Sequence, residues 1–375
     1  MSSPCKKRRF VSHGGDVWGF SRKYGIPINN VLDFSAPINF LGASPKAVEA
    51  IKNVASKVRF YPDPNPKELK KQIAEYVGNI KAENIIIGNG SIEPIYMIAD
   101  FFAPNFEAII PVPSFSEYEK ATIRVHGKPV FSKLKDDFSM DIENIKKAAN
   151  IKTRVIFICN PHSPSGKLYS RENILEIIEF CDKKNIFVCV DENYMEFSDL
   201  SPKTTVTGYV EKYKNLFVVK SLSKFFGMPG VRFGFGVTNN NFVCKLQDVR
   251  QPWSINLLAV FATKAALKDS EFISKTKKTI AKEKANLEKM ISSIDILHVF
   301  PSATNFLLVK ILDNRISSTI LREKLAKDGI LIRDCSTFVG LDNSYFRVTV
   351  RSFNQNNLLI DKLRKEIKII INNHN

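Results

Sequence analysis

Between about residues 44 and 238, short apolar segments of strand length alternate with longer segments that have helical periodicity. The predicted strands are 84–88, 108–111, 154–159, 186–190, 216–220 and 233–237, and the clearest predicted helices are 92–102, 115–125 and 171–184. Strands that are apolar on both faces need cover on both sides, and alternation with helices is typical of parallel sheets. The sequence therefore predicts an α/β fold in which helices cover a mostly parallel sheet.

The segments on either side of this alternating region differ from it. Residues 1–44 are rich in Gly, Pro and Asn, have little periodicity, and are predicted to form an arm. After residue 250 a long helical region, 255–292, leads into a smaller mixture of strands and helices. Its predicted strands lie near 305–309, 329–332 and 345–350, and its helices at 318–328 and 357–371. We therefore predict an N-terminal arm (1–44), a large domain (45–265) and a small α+β C-terminal domain (266–375).

The composition is that of an ordinary globular protein. Of 375 residues, 44% are hydrophobic and 25% are charged, which excludes a disordered, collagen-like or coiled-coil chain. No apolar stretch reaches the length of a membrane span, and the charged N-terminus lacks the apolar segment of a signal peptide. The six cysteines are scattered without C-x-x-C or metal-ligand spacing, so we expect a reducing cytoplasm and no metal site.

The net charge of +17 needs a separate explanation. The lysines are spread over many predicted helix faces, and the only dense basic run is KKRR at residues 6–9. Such a run is typical of a solvated tail or of a nucleic-acid or localisation tag. A non-catalytic nucleic-acid-binding protein is therefore kept as a remote alternative, although we expect neither a nucleic-acid nor a membrane partner.

Four motifs follow predicted strands, where open α/β sheets bind their ligands. They are GNGSI at 88–92, NPHSPSG at 160–166, VDENY at 190–194, and KSLSKFFG at 220–227 with GVRFG at 230–234. Taken alone, the first three are also consistent with a tight turn, a structural loop and a core-edge carboxylate. The fourth is more specific. Lys224 follows a buried strand among apolar residues, which disfavours a free ammonium and favours a nucleophilic amine.

Together the motifs describe one chemistry. A glycine-rich turn before a helix, two serines and Arg232 form a phosphate site, Lys224 supplies an amine for a Schiff base, and Asp191 suits a pyridinium nitrogen. This combination indicates pyridoxal 5′-phosphate (PLP). From about His13 to its end, the chain resembles the fold-type-I aminotransferases, whose N-P-x-x-P-[ST]-G, D-E-x-Y and S-x-S-K motifs occur here in order. The resemblance implies the PLP-dependent transferase fold type I.

The resemblance also implies roles for individual residues. Lys224 would bind the cofactor covalently and shuttle the proton, and Asp191 would hold the ring nitrogen protonated. Tyr194 and Asn160 would bind the O3′ oxygen, and Phe115 would stack on the ring. The residues implied to hold the phosphate are Gly90, Ser91, Ser221, Ser223 and Arg232.

Two further implied roles concern the partner subunit and the substrate. Tyr61 resembles the tyrosine that reaches the phosphate of a neighbouring subunit, which implies a homodimer. Arg347 resembles the arginine that binds the substrate α-carboxylate. Arg333 resembles the arginine that binds a substrate phosphate.

Two subfamilies share this layout, the histidinol-phosphate aminotransferases and the threonine-phosphate decarboxylases of cobalamin synthesis. The segments HGGD at 13–16, LDFSA at 32–36 and RQPWSIN at 250–256 resemble the decarboxylases, in which His13 and Gly14 would fold over the substrate. We therefore predict a lyase that converts L-threonine O-3-phosphate to (R)-1-aminopropan-2-yl phosphate. A histidinol-phosphate aminotransferase of class I/II is the alternative.

One departure bears on this choice. The decarboxylases usually have S-A-N-I-N where this chain has SAPIN, so Pro37 replaces the first Asn and Asn39 remains as the second. Proline offers neither a side-chain amide nor an N–H group. His162 could supply a substitute contact, or it could be a bystander on a surface loop, and we favour the bystander.

Overall fold

The computed structural model describes residues 13–373, so the KKRR run at 6–9 lies outside the described residues. Its strands are β1 (Leu32–Asp33), β2 (Ile85–Gly88), β3 (Glu107–Val112), β4 (Lys128–Lys133), β5 (Thr153–Cys159), β6 (Phe187–Asp191), β7 (Leu216–Lys220), β8 (Gly234–Val237), β9 (Leu297–Val299), β10 (Phe306–Ile311), β11 (Ile330–Leu331), β12 (Arg333–Asp334) and β13 (Tyr345–Thr349). Its helices are α1 (Val17–Tyr24), α2 (Pro45–Val54), α3 (Lys67–Val77), α4 (Ile92–Phe102), α5 (Ser116–Arg124), α6 (Ile142–Ala148), α7 (Arg171–Asp182), α8 (Ser201–Thr204), α9 (Asn240–Val249), α10 (Leu257–Leu267), α11 (Ser270–Ser292), α12 (Ser318–Ala326) and α13 (Phe353–Asn372).

A seven-stranded sheet forms the centre of the larger part of the molecule. The strand order is β2-β8-β7-β6-β5-β3-β4, and only β8 runs antiparallel to its neighbours among these strands. Along β5, Val155 and Phe157 belong to one apolar cluster, whereas Ile156 and Ile158 belong to another. Because successive side chains point to opposite faces of a strand, both faces of the sheet are covered. The predicted α/β fold with a mostly parallel sheet is confirmed.

The smaller sheet has the order β12-β13-β10-β9 and is antiparallel. An apolar cluster joins it to the second half of α11 through Leu287 and Ile291, and to α13 through Leu359 and Leu363. Phe34, from the predicted arm, is buried in the same cluster. The main chain beside Phe34 also pairs with this part of the fold, because β1 runs parallel to β11.

Local sequence signals explain where several helices begin. The Ser170 side chain accepts a hydrogen bond from the Asn173 N–H at 3.2 Å, so Ser170 is the N-cap of α7. The predicted helical region 255–292 is wrong as a single helix, because α10 ends at Leu267 and Asp269 caps the next helix. Its carboxylate accepts from the Phe272 N–H and from the Ser44 hydroxyl. The domain boundary at 265/266, close to this break, stays a prediction.

Some features are absent from residues 13–373. No helix in that range is long and apolar enough to cross a membrane. Nor does the range contain a group of three or more His, Cys, Asp or Glu side chains that could hold a metal ion. The five cysteines that the structure describes are free thiols.

Candidate active site

The ends of four strands meet at one edge of the seven-stranded sheet. β2, β5, β6 and β7 run toward this edge, and β8 begins there because it is antiparallel. In the sheet register Cys159 lies beside Asp191, and Gly88 lies beside Gly234. The four sequence motifs follow these strand ends, so the topology brings distant segments of the chain together at the edge where α/β sheets bind ligands.

Lys224 lies in the loop after β7 and is half-buried. Its Nζ atom donates a hydrogen bond to the Tyr194 hydroxyl at 2.8 Å and lies 4.0 Å from the centre of that ring. Asn39 fixes the same loop, since its N–H donates to the Lys224 carbonyl at 3.0 Å and its side-chain amide donates to the Phe225 carbonyl at 2.8 Å. The predicted lysine is therefore held on a loop that Asn39 fixes at two adjacent carbonyl groups.

Asp191 is the last residue of β6, and it is 4% exposed. Burial raises the pKa of this carboxyl group, and hydrogen bonds oppose that shift. Oδ2 accepts from the Tyr118 hydroxyl at 2.6 Å, and Oδ1 accepts from the Asn193 N–H at 3.0 Å. The carboxylate is therefore buried at the sheet edge with a separate donor for each oxygen.

Asn160 lies directly after β5 and is buried beside Asp191, whose carbonyl accepts from the Asn160 N–H at 2.8 Å. Its side-chain amide bonds to the main chain of Tyr169: Oδ1 accepts at 2.9 Å, and Nδ2 donates at 3.3 Å. An amide nitrogen carries two protons, so one proton of Nδ2 remains for another acceptor. Asn160 therefore supports the loop and retains one donor.

The residues predicted to hold the phosphate come from three chain segments: Gly90, Ser91, Ser221, Ser223 and Arg232. Gly90 has a φ of +75°, and a Cβ atom there would lie 2.5 Å from Nη2 of Arg232. Only glycine therefore permits the guanidinium group to pack against the turn. The Asn193 side-chain amide donates to Ser91 Oγ at 2.9 Å, which links this turn to the VDENY motif.

Ser221 and Ser223 are both buried and lie 2.8 Å apart, Oγ to Oγ. Ser221 Oγ also donates to the Phe233 carbonyl at 3.0 Å, one residue beyond Arg232. The structure thus brings two hydroxyls, a guanidinium group and a glycine-rich turn before α4 into one place. This donor set suits a phosphate group.

The first described residues of the arm lie at the rim of this site. The His13 ring is 5.7 Å from the Phe115 ring, and its Nε2 atom is 2.6 Å from Glu117 Oε1. Gly14 packs against the Ser35 carbonyl so closely that a Cβ atom would clash with it. The arm is therefore held beside Phe115 at one point and against the LDFSA segment at another.

Glu117 is the anion that anchors the arm. Burial raises its pKa, but hydrogen bonds from His13, Lys120 and Tyr96 outweigh burial and lower the pKa to about 2. The carboxylate is therefore charged at neutral pH, and His13 lies against a permanent acceptor.

Arg333 and Arg347 are direct partners in the β12–β13 register, and both are buried. Arg347 donates to Ser163 Oγ and to the Ser35 carbonyl, each at 3.1 Å. Its Nε atom is buried and has no hydrogen-bond partner among the described residues. Arg333 donates to Thr337 Oγ1 at 2.9 Å, and burial together with the charge of Arg347 lowers its pKa to about 10. Two adjacent buried cations form a strong site for anions.

Comparison with known proteins now adds to this geometry. A family model described as aminotransferase class I and II matches residues 29–363, which is most of the chain. The chain belongs to the aminotransferase class I and II family. This result confirms the predicted family and shows that the protein is an enzyme.

Individual members of this family resemble the chain over almost its whole length. A protein of Caldanaerobacter subterraneus subsp. tengcongensis named "Putative threonine-phosphate decarboxylase" is 36% identical over 96% of this chain and 95% of its own. The histidinol-phosphate aminotransferase structure from Clostridium acetobutylicum has a TM-score of 0.83 and 31% identity, covering 91% of this chain and all of that one. A Sinorhizobium meliloti histidinol-phosphate aminotransferase in complex with PLP has the same fold, with a TM-score of 0.87 at 21% identity over 99% of this chain and all of that one.

PLP is the cofactor of this protein, as predicted. The residues at the sheet edge fit it. Gly90 leaves room for the Arg232 guanidinium beside a phosphate-binding turn, and Asp191 is a buried carboxylate that suits a pyridinium nitrogen. Lys224 supplies an amine four residues after the end of β7.

Two residues interpreted from the sequence lie in unexpected surroundings: Tyr61, predicted as a site residue, and His162, predicted as a bystander on a surface loop. Tyr61 is not part of the cluster at the sheet edge, since it is 80% exposed and its ring packs 4.9 Å from Trp253. The interpretation of His162 as a surface bystander is wrong, because the ring is buried between Ser165 Oγ and the Pro113 carbonyl, each at 2.7 Å. Burial lowers its pKa to about 4, so it is neutral at neutral pH.

Sequence reasoning missed Tyr118 and Asn193, which contact Asp191, and Ser163, which contacts Arg347. Tyr118 lies three residues after Phe115, at a helical spacing that directs it toward the same region, and this spacing is the signal that could have found it. Asn193 and Ser163 lie inside two of the four motifs. The side chain of Asn193 also bonds to Ser91, just before α4, and Ser163 bonds to Arg347 on β13, and spacing alone does not show these contacts between distant segments.

Proposed function

We propose that this enzyme decarboxylates L-threonine O-3-phosphate to (R)-1-aminopropan-2-yl phosphate, in cobalamin synthesis. The observation that carries the proposal is the buried pair Arg333 and Arg347, adjacent across two strands. The substrate has two anionic groups, a carboxylate and a phosphate ester, so each arginine has an anion to bind. In this proposal Arg333 holds the phosphate and Arg347 the carboxylate. The 36% identical relative supports the same reaction.

The residues at the sheet edge would hold PLP in the following way. Asp191 would bind the ring nitrogen, Phe115 would cover the ring face, and Tyr194 and Asn160 would bind the O3′ oxygen. The phosphate would be held by Gly90, Ser91, Ser221, Ser223 and Arg232. Bound PLP withdraws electrons from the bond that breaks at the substrate α-carbon. Lys224 would bind the cofactor and move the proton, and its 2.8 Å contact to Tyr194 supports a shared proton there.

The two arginines would also select which bond breaks. A bond at the α-carbon weakens when it stands perpendicular to the cofactor ring, so the enzyme chooses by fixing the carboxylate in or out of the ring plane. Arg347 has little freedom to move, because Ser163 and Ser35 hold it on two sides. Its position relative to Arg333 would therefore set the orientation of the substrate.

The arm would exclude water from this reaction. His13 lies against Phe115, and Gly14 against Ser35, whose carbonyl also binds Arg347. A closed arm would keep water away from the reacting α-carbon. We propose that residues 13–16 close over the substrate.

Histidinol-phosphate aminotransferase activity is the alternative, and two observations favour it. The Clostridium acetobutylicum structure is 31% identical, and Pro37 departs from the decarboxylase pattern. The purified enzyme should be incubated with O-phospho-L-threonine and, separately, with histidinol phosphate plus 2-oxoglutarate. We expect CO2 release in the first incubation. Glutamate formation in the second, without CO2 release in the first, would replace the decarboxylase proposal with the alternative.

We further propose a cytoplasmic homodimer in which Tyr61 reaches the phosphate site of the partner subunit. A cleft of about 820 Å³ is lined by Phe60, Tyr61 and Trp253 and also by Asn89, which precedes Gly90. A second copy of the chain would cover these exposed aromatic rings. Sedimentation should give a dimer, and Tyr61→Phe should weaken PLP binding. A fully active monomer would contradict the proposal.

A further inference from the structure

Asp191 lies in buried surroundings that disfavour the ionised form of its carboxyl group. The carboxyl group is buried between β5 and β7, and burial raises its pKa. The titratable groups around it are Lys224, Glu192, Tyr118, Cys159 and Cys189. Of these only Lys224 carries a basic side chain, and its amine is the group proposed to bind the cofactor. While PLP is bound, the carboxylate would therefore be stabilised by the protonated ring nitrogen and by the neutral donors that already contact it.

Tyr118 is the side chain placed to do this. Its hydroxyl donates to Asp191 Oδ2 at 2.6 Å, while the main-chain N–H of Asn193 occupies Oδ1 at 3.0 Å. A hydrogen bond to a carboxylate is among the stronger ones in proteins, and it favours the ionised form.

The surroundings of Tyr118 make it a fixed donor. The residue is fully buried, and its ring stacks on Phe157 with 5.2 Å between the ring centres and 5° between the ring planes. Burial, together with the charge of Asp191, raises the pKa of the phenol well above its ordinary value, so it keeps its proton. Tyr118 also meets Phe115 edge-on, with 5.7 Å between ring centres. One side chain thus contacts both the proposed ring-stacking residue and the proposed nitrogen-binding carboxylate.

We infer that Tyr118 is a positioning residue for PLP, which keeps Asp191 ionised toward the ring nitrogen and supports Phe115 against the ring. The inference rests on the proposed role of Asp191. Without the phenol hydroxyl, the proton between Asp191 and the ring nitrogen moves toward Asp191. The ion pair that holds the ring is then weakened.

The test is Tyr118→Phe, which removes one hydroxyl and keeps the ring. The apoenzyme is titrated with PLP and with its deaza analogue, in which C–H replaces the ring nitrogen. We expect the affinity for PLP to fall about tenfold or more, the loss of one hydrogen bond to a charged group. The affinity for the analogue should not change, because the analogue has no nitrogen to share a proton. An equal loss for both compounds would show a packing role only and overturn the inference.

Two further variants distinguish a failure of this inference from a failure of the proposed role of Asp191. Tyr213→Phe is the matched control, because Tyr213 is buried and its hydroxyl also donates to a carboxylate, Glu179, at 2.5 Å. It should leave the ratio of the two affinities unchanged. Asp191→Asn should reduce that ratio at least as much as Tyr118→Phe. If Asp191→Asn does so and Tyr118→Phe does not, Tyr118 has no such role. If neither does, the role of Asp191 is wrong as well.

Discussion

Gly90→Ala tests the phosphate site with a single methyl group. Two costs follow from the structure. At a φ of +75° an alanine is strained, which should lower the free energy of unfolding by about 1–2 kcal/mol. The new Cβ atom would also lie 2.5 Å from Nη2 of Arg232, so the guanidinium group must move. Arg232 is proposed to bind the cofactor phosphate, and loss of that charged hydrogen bond would be worth about 1.5–3 kcal/mol, or roughly 10- to 150-fold in PLP affinity.

The assay is titration of the apoenzyme with PLP, followed by absorbance, together with urea unfolding of each variant. Gly25→Ala is the matched control, because Gly25 has a φ of +67° and no atom within 4 Å of an added Cβ. It should lose stability but not PLP affinity. Gly90→Ala should also cost little affinity in an Arg232→Ala background, since the displaced group is already absent. An unchanged PLP affinity for Gly90→Ala would refute the reasoning, as would equal losses in both backgrounds.

Three other outcomes are expected. Lys224→Ala should abolish turnover and the covalent cofactor link, measured by borohydride reduction and mass spectrometry; trapping on another lysine would contradict the assignment. Arg333→Ala should raise the Michaelis constant roughly 10- to 150-fold for the phosphorylated substrate, and far less for free threonine. Folding lowers the pKa of His162 from 6.5 to about 4. Between these pH values only the unfolded state binds the proton, so the free energy of unfolding decreases as the pH is lowered. From pH 7 to 5, the wild type should lose about 2 kcal/mol more unfolding free energy than His162→Gln. The exposed His298→Gln should match the wild type.

The large sheet was predictable because its strands are buried on both faces. Such strands appear as continuous apolar runs, and six of the seven were predicted close to their observed bounds. The missed strand, β4 (Lys128–Lys133), lies at the sheet edge and contains a proline and two lysines. Polar residues and proline are tolerated at an edge, so this strand has no continuous apolar signal.

Short elements and distant contacts were harder to predict. β1 (Leu32–Asp33) has two residues and pairs with β11, about 300 positions later, so no local periodicity marks it. The residues proposed for the site lie in motifs, so the sequence could propose them. The contacts that orient them, such as Tyr118 to Asp191 and Ser163 to Arg347, join elements far apart in the chain. Motif spacing indicates which chemistry is present, whereas these contacts depend on the packing of whole elements.

The two lysines of the KSLSK segment show how packing separates residues that a motif presents together. Lys220, at the end of β7, lies 3.1 Å from Glu192 and 3.1 Å from Glu196, and all three side chains are buried. Burial lowers the pKa of Lys220, but the negative charges of Glu196 and Glu192 raise it by a larger amount. The net shift is therefore upward, and the ammonium group keeps its proton. A protonated amine cannot act as a nucleophile. Among the described residues Lys224 forms no salt bridge, and its Nζ atom donates to the Tyr194 hydroxyl, which supports its proposed role as the lysine of this segment that reacts with the cofactor.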